Sequence, residues 1–214
     1  MYAKLAQWED AVRVARAHGG VAAAHDVALS QAESLGGEAG LKSLMRQGLI
    51  DKALDFAVAS QQWDAALDIA SKHAPVKVTA IHHKHGMLLE DVGKYAAAEA
   101  EFLAAEAPRE AIDMHLYCRD WTAALRVAEH YNPGYVADVL VAQANAAVEA
   151  RDLAGAETLF VDAKRPELAV DAYVAARAFP EALRVTKRYL PHKVNEVNER
   201  IKRTAATAGG AAYG

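Results

Sequence analysis

Apolar residues recur along this chain at helical spacing. After Trp121 come Ala124, Leu125, Val127 and Ala128, at offsets 3, 4, 6 and 7, which fall on one face of a helix. No stretch alternates with period two for long, and no Val/Ile/Thr-rich run is bounded by hairpin turns, so strands are not expected. Breakers set the joints. Pro75, Pro108, Pro133, Pro166 and Pro191 stand where a first helical turn tolerates a missing N–H. Gly19-Gly20, Gly36-Gly37, Gly48 and Gly93 stand where helices stop. The pattern predicts about fourteen helices, near 3–17, 20–34, 38–47, 50–60, 63–73, 76–92, 95–105, 109–118, 121–131, 134–151, 153–163, 167–177, 179–189 and 192–205. Short joints make neighbours antiparallel. The expected fold class is all-α, an α-solenoid of helical hairpins.

The same pattern repeats every 58 residues. Pro75, Pro133 and Pro191 keep that spacing, as do Trp63, Trp121 and Phe179 ahead of them, and His73, Tyr131 and Tyr189 between. Segment 95–128 laid over 153–186 matches at 13 of 34 positions, among them Ala98/Ala156, Glu99/Glu157, Phe102/Phe160, Pro108/Pro166 and Asp113/Asp171. The first aromatic, Trp8, precedes Trp63 by 55 residues. A period this long marks a stacked-repeat protein with a double hairpin as its unit. Gly86, Leu89, Gly93, Tyr95, Ala98, Phe102 and Ala105 have the offsets of a tetratricopeptide hairpin, which this stretch resembles. Ala144, Val148, Arg151, Leu153, Ala156, Phe160 and Ala163 take the same slots in the later copy. Small residues there let two helices touch, and Tyr95 and Phe102 are expected to fill the gap between hairpins. Such an array exposes long surfaces and holds no pocket by default, so its function is expected to be grip rather than chemistry.

Composition narrows this further. Apolar residues make up 53% and charged residues 24%, which argues against disorder. The net charge of −4 gives no basic face along the main body, so nucleic acid is not an expected partner. No apolar run of about 18 residues is present, so no membrane span is expected. The start, with Glu9, Asp10 and Arg13, lacks a secretory pattern and enters in mid-repeat, as if cut from a longer chain. Cys118 is the sole cysteine, so no internal disulfide forms and a reducing compartment is expected. Residues 1–203 are expected to form one tetratricopeptide-like array, and 204–214 a flexible Gly/Ala-rich tail.

Few residues suggest chemistry. His82 and His85 share a helix face, and two histidines one turn apart can bind zinc. No third ligand is evident nearby in sequence, so a solvated face is preferred to a metal, and no cofactor is expected. Cys118 aligns with Ala176, which implies a small buried slot rather than a nucleophile. Trp8, Trp63 and Trp121 are expected to be wedges between hairpins. Glu99/Glu157 and Asp113/Asp171 recur in register, which suggests structural ion pairs rather than acid–base catalysis. The tetratricopeptide carboxylate clamp is absent save for Asn145. No enzymatic activity is expected. The last helix is basic, with Lys187, Arg188, Lys193, Arg200, Lys202 and Arg203 against Glu196 and Glu199. Those six cations are the candidate protein-binding residues. They also suit an anionic membrane surface. Val194, Val197 and Ile201 form a narrow apolar stripe, as in the first helix of a further, unfinished repeat, which is the preferred explanation.

Several strings are more particular than a generic solenoid: Ser34–Ala39 (SLGGEA), Glu90–Phe102 (EDVGKYAAAEAEF), Asp120–Pro133 (DWTAALRVAEHYNP) and Val136–Ala144 (VADVLVAQA). They resemble the helical-repeat region of the peripheral B-complex subunits of intraflagellar transport, from about residue 1 to 203. The resemblance implies WD-repeat propellers upstream and more helical repeats downstream. It also implies a scaffold role in ciliary trains, other transport subunits and lateral self-contacts as partners, and a place in the cilium or flagellum and basal body, on the cytoplasmic side. It carries no enzymatic residues. The alternative is a vesicle-coat or membrane-surface module.

Overall fold

The computed structural model describes residues 2–209, and side-chain surroundings for residues 7, 8 and 10–206. Among these residues are thirteen α-helices and no strand. They are α1 (Tyr2–Leu35), α2 (Gly37–Arg46), α3 (Ile50–Ala59), α4 (Trp63–His73), α5 (Val78–Asp91), α6 (Tyr95–Ala104), α7 (Pro108–Tyr117), α8 (Trp121–Tyr131), α9 (Val136–Glu149), α10 (Leu153–Asp162), α11 (Pro166–Ala175), α12 (Phe179–Tyr189) and α13 (Val194–Gly209). The 58-residue ruler holds at both ends of most helices: α4, α8 and α12 coincide after each shift, as do α5 with α9, α2 with α6 and α10, and α3 with α7 and α11. Pro75, Pro133 and Pro191 each open a three-residue 3-10 turn that leads into α5, α9 and α13.

The first two predicted helices, 3–17 and 20–34, both lie in α1 and are separated by a break in the helical backbone at Gly20 (φ 76°, ψ −168°), at the Gly19-Gly20 stop. Fifty-eight residues before Pro75 stands Ala17, which keeps its N–H, so no proline turn separates the two helices and the glycine takes the break instead. At the other end α13 continues to Gly209, past residue 203, where the flexible tail was expected to start. The rest of that tail, 210–214, lies outside the described residues.

The chain divides into two compact units, Met1–Ala107 and Pro108–Gly214. In the first, each helix from α1 to α6 packs on the next. In the second, α7 to α13 do the same. This neighbour-to-neighbour packing is that of an α-solenoid. Alanine sets the spacing: Ala53, Ala57, Ala66 and Ala70 in one unit, and Ala124, Ala128, Ala144 and Ala182 in the other, are wholly buried where helix backbones approach. Larger groups fill what remains, Leu44 and Phe102 in the first unit and Val127, Phe160 and Val185 in the second. Tyr95, expected as a gap filler, is 40% exposed. Cys118 is half-buried and its counterpart Ala176 is exposed, because both lie at a helix end rather than in the core.

Left-handed residues end the helices at three slots of the unit: Gly48/Glu106/Lys164, Gln61/Arg119/Arg177 and Gly93/Arg151. At each, the left-handed residue donates its N–H three residues back and the next residue donates five back, at 2.8–3.1 Å. That pair of bonds is the Schellman motif, which satisfies the last carbonyls of the helix. Six of the eight positions carry a side chain where glycine is free of strain. Arg177→Gly is therefore expected to stabilise the second unit by about 0.5–1 kcal/mol, and Gly93→Ala to destabilise the first by a similar amount. Urea denaturation of each variant checks both signs.

Candidate interaction surfaces

The six cations of the candidate surface sit on three elements: Lys187 and Arg188 in the last turn of α12, Lys193 in the 3-10 turn, and Arg200, Lys202 and Arg203 on α13. Several are already engaged. Arg200 pairs with Asp171 of α11 (2.5 Å), and Lys202 with Glu199 (2.7 Å). Arg203 Nε lies 3.4 Å from the Glu199 carbonyl oxygen, and Arg188 lies over the Tyr189 ring at 5.2 Å. Lys193 adds to the field on Glu167. Burial alone would raise that carboxyl, but a hydrogen bond from Arg165 (2.6 Å), a backbone bond and the two cations hold it below its ordinary value. Lys187 is exposed.

Glu157 and Asp171, which recur in register with Glu99 and Asp113, make ion pairs between helices as expected. Asp171 accepts from Arg200. Glu157 accepts both terminal nitrogens of Arg184 (3.1 and 2.6 Å) and the Tyr173 hydroxyl (2.7 Å). Burial pushes the Glu157 carboxyl up, yet the bonds from Arg184 and Tyr173 outweigh it and the net shift is down. Burial first, then the Glu157 carboxylate, push the Tyr173 phenol up to about 12. The signs follow by linkage. Glu157 contributes stability that is present above the ordinary carboxyl range and lost as pH falls through its lowered value. Tyr173 contributes stability that is whole below its ordinary value of 10.0 and is lost as pH rises toward 12. Stability of the second unit is expected to fall between pH 10 and 12, and Tyr173→Phe to flatten that limb. Urea midpoints measured across this window decide it.

The histidines on α5 have a partner that the local sequence does not reveal. Glu101, on α6, places Oε2 2.7 Å from His82 Nδ1 and Oε1 3.1 Å from His85 Nδ1. The first is a hydrogen bond. The second is off line, and His85 Nδ1 is buried without a hydrogen-bond partner. Trp63 stacks on His85 with ring centres 4.6 Å apart, and His83 meets the Phe102 ring edge-on at 5.8 Å. The cluster thus ties α4, α5 and α6 together. Among the described residues no group of three or more His, Cys, Asp and Glu is arranged to hold a metal ion. The signal for Glu101 lay in the repeat: its slot in the next copy is Leu159, and those of His82 and His85 are Leu140 and Gln143. At His82 and Glu101 two polar residues together replace the apolar pair Leu140 and Leu159.

A shallow groove of about 470 Å³ runs between α3 and α5, floored by Leu54, Val58 and Ile81. Asp51 and Lys77 pair at 3.0 Å beside it. Such a groove accepts an aliphatic side chain or two of a partner. Among the described residues no helix is long and apolar enough to cross a membrane.

No family model matches the chain. It is 45% identical over 210 residues to intraflagellar transport protein 172 of Chlamydomonas reinhardtii. Identity to the homologues of that protein is 42% over 210 residues in Rattus norvegicus and 41% over 209 in Homo sapiens. Each match covers 98% of this chain, and the chain spans 12% of the length of each of these curated relatives. A continuous likeness of this strength, laid on an all-helical repeat, makes the chain a homologue of one segment of intraflagellar transport protein 172.

Proposed function

We propose that this chain is a non-enzymatic scaffold segment of the intraflagellar transport B complex, holding other transport subunits in ciliary trains by contacts along its helical faces. The observation that carries this is the extent of the likeness, 98% of the chain, through both units. The fold fits the role. Side chains that recur in register are spent on packing and on ion pairs within or between helices, which leaves the outward residues of each helix to meet partners. Large protein surfaces of this kind bind through area and a few anchors, and lateral contacts between copies add through multivalency. The place of action is the cilium or flagellum and its basal body, on the cytoplasmic side. The partner-binding residues are Lys187, Arg188, Lys193, Arg200, Lys202 and Arg203. Reversal of Lys187, Arg188 and Lys193 to Glu is expected to leave helicity intact and to abolish co-precipitation of intraflagellar transport subunits from a ciliary extract. Undiminished co-precipitation ends the assignment of these residues.

A vesicle-coat or membrane-surface module would use the same basic helix. Two of its six cations are held in ion pairs with Asp171 and Glu199, which weakens the pull on an anionic bilayer. Flotation with phosphatidylserine vesicles at low salt separates the readings: the scaffold role predicts that the chain stays at the bottom of the gradient.

A further inference from the structure

The paired helices α5/α6 and α9/α10 share one seat. Phe102 of α6 lies against Gly86, so closely that a Cβ added there would stand 2.9 Å from the ring. His83 meets the same ring edge-on. One repeat on, Phe160 is buried in one cluster with wholly buried Ala144, with Val141 packed against it. The seat is thus made by two positions of the first helix, one that must be small and one that packs beside the aromatic ring. In α13 those positions hold Lys202 and Glu199. They pair with each other at 2.7 Å across one helical turn. The opposite face of α13 keeps its register: Val197, which follows Ile81 and Val139 in the ruler, is buried like them.

From this we infer that α13 is a capping helix. It closes on α12 in the manner of α5 and α9, but its outer face refuses a hairpin partner. An aromatic residue entering at the Phe102/Phe160 position would meet an ammonium and a carboxylate where Gly86 and Ala144 leave room. Burying that pair strips both charges of water, a penalty that the new contacts must outweigh. Polar outer faces of this kind end repeat arrays and keep them soluble. The outer face of α13 is therefore unsuited to complete a hairpin of the α5/α6 and α9/α10 kind. This revises the unfinished-repeat explanation of the Val194/Val197/Ile201 stripe, which accounts for only one side of the helix.

The test joins a copy of residues 152–165, which span α10 and its joints, to the C-terminus of the full chain, isotope-labelled in that segment alone by protein ligation. Amide exchange of the added segment is then measured by NMR. In the wild-type chain it is expected to exchange as a free peptide, and with Lys202→Ala and Glu199→Val together it is expected to slow by about tenfold or more. Protection in the wild-type chain overturns the inference. Free exchange in both overturns the assignment of the block to Lys202 and Glu199. Unchanged circular dichroism and urea midpoint of the variant before ligation ensure that its host fold is intact.

Discussion

Phe160→Ala is expected to destabilise the second unit by about 3–5 kcal/mol, the range for truncating a buried phenylalanine. Phe160 is 2% exposed and sits in the cluster formed by Ala144, Ala156, Tyr173 and Val185. Its buried cluster is made of alanines, β-branched valines and Tyr173, whose short or stiff side chains cannot swing inward to fill a void as longer flexible ones do, so little of the cavity collapses. The loss also has an address. Neighbour-to-neighbour packing makes stability a sum of local terms, so the damage concentrates on α9, α10 and α11. Amide exchange resolved by helix is expected to show loss of protection at 136–175 first. A uniform loss over all thirteen described helices would mean that the chain melts as one cooperative block. Phe102→Ala is the matched experiment in the first unit, where Phe102 is 1% exposed.

Much of this fold is legible in the residues because the repeat checks itself. A single apolar helix face is ambiguous, but a face recurring at 58 residues with proline and aromatic in phase is not, and the helix ends fall on that ruler. The departures are equally physical. The helices predicted at 3–17 and 20–34 share one span because Ala17 stands where later copies have a proline turn, and the backbone of Gly20 alone makes the break. The left-handed joints at Glu106, Arg119, Arg151, Lys164 and Arg177 carry no mark of their own, because any residue can be forced into that conformation by good helices on both sides. Register with Gly48 and Gly93 was the available sign for the slots of Glu106, Lys164 and Arg151. Of the surface, less was legible. The cations from Lys187 to Arg203 are plain in sequence, but that Arg200 reaches Asp171 depends on the crossing of α11 and α13. Glu101 lay hidden for the same reason: it approaches His82 from the neighbouring helix.

Gly86→Lys places in α5 the residue that α13 carries at the same slot, and it is expected to cost about 3–5 kcal/mol, the scale for an unpaired buried charge. Gly86 is buried, and a Cβ there already stands 2.9 Å from the Phe102 ring. A lysine must either drive its stem between α5 and α6 or bend around the ring to reach water. The first separates the helices and uncovers Phe102. The second forces an unfavourable rotamer. His83, the residue at the Glu199 slot, offers no carboxylate to pair with the ammonium. Gly86→Ala is the control that separates size from charge. Alanine gains about 1 kcal/mol of helix propensity over glycine, and Ala144 occupies the equivalent slot at full burial, so a shift of a few tenths of an ångström accommodates it. Near-neutral alanine with strongly destabilising lysine, read from urea midpoints and exchange at 78–104, would establish that the seat tolerates a methyl group and rejects a charge. A lysine variant as stable as wild type would show that the hairpin can open enough to pass the ammonium to solvent, and the same freedom would then be available to Lys202 in α13.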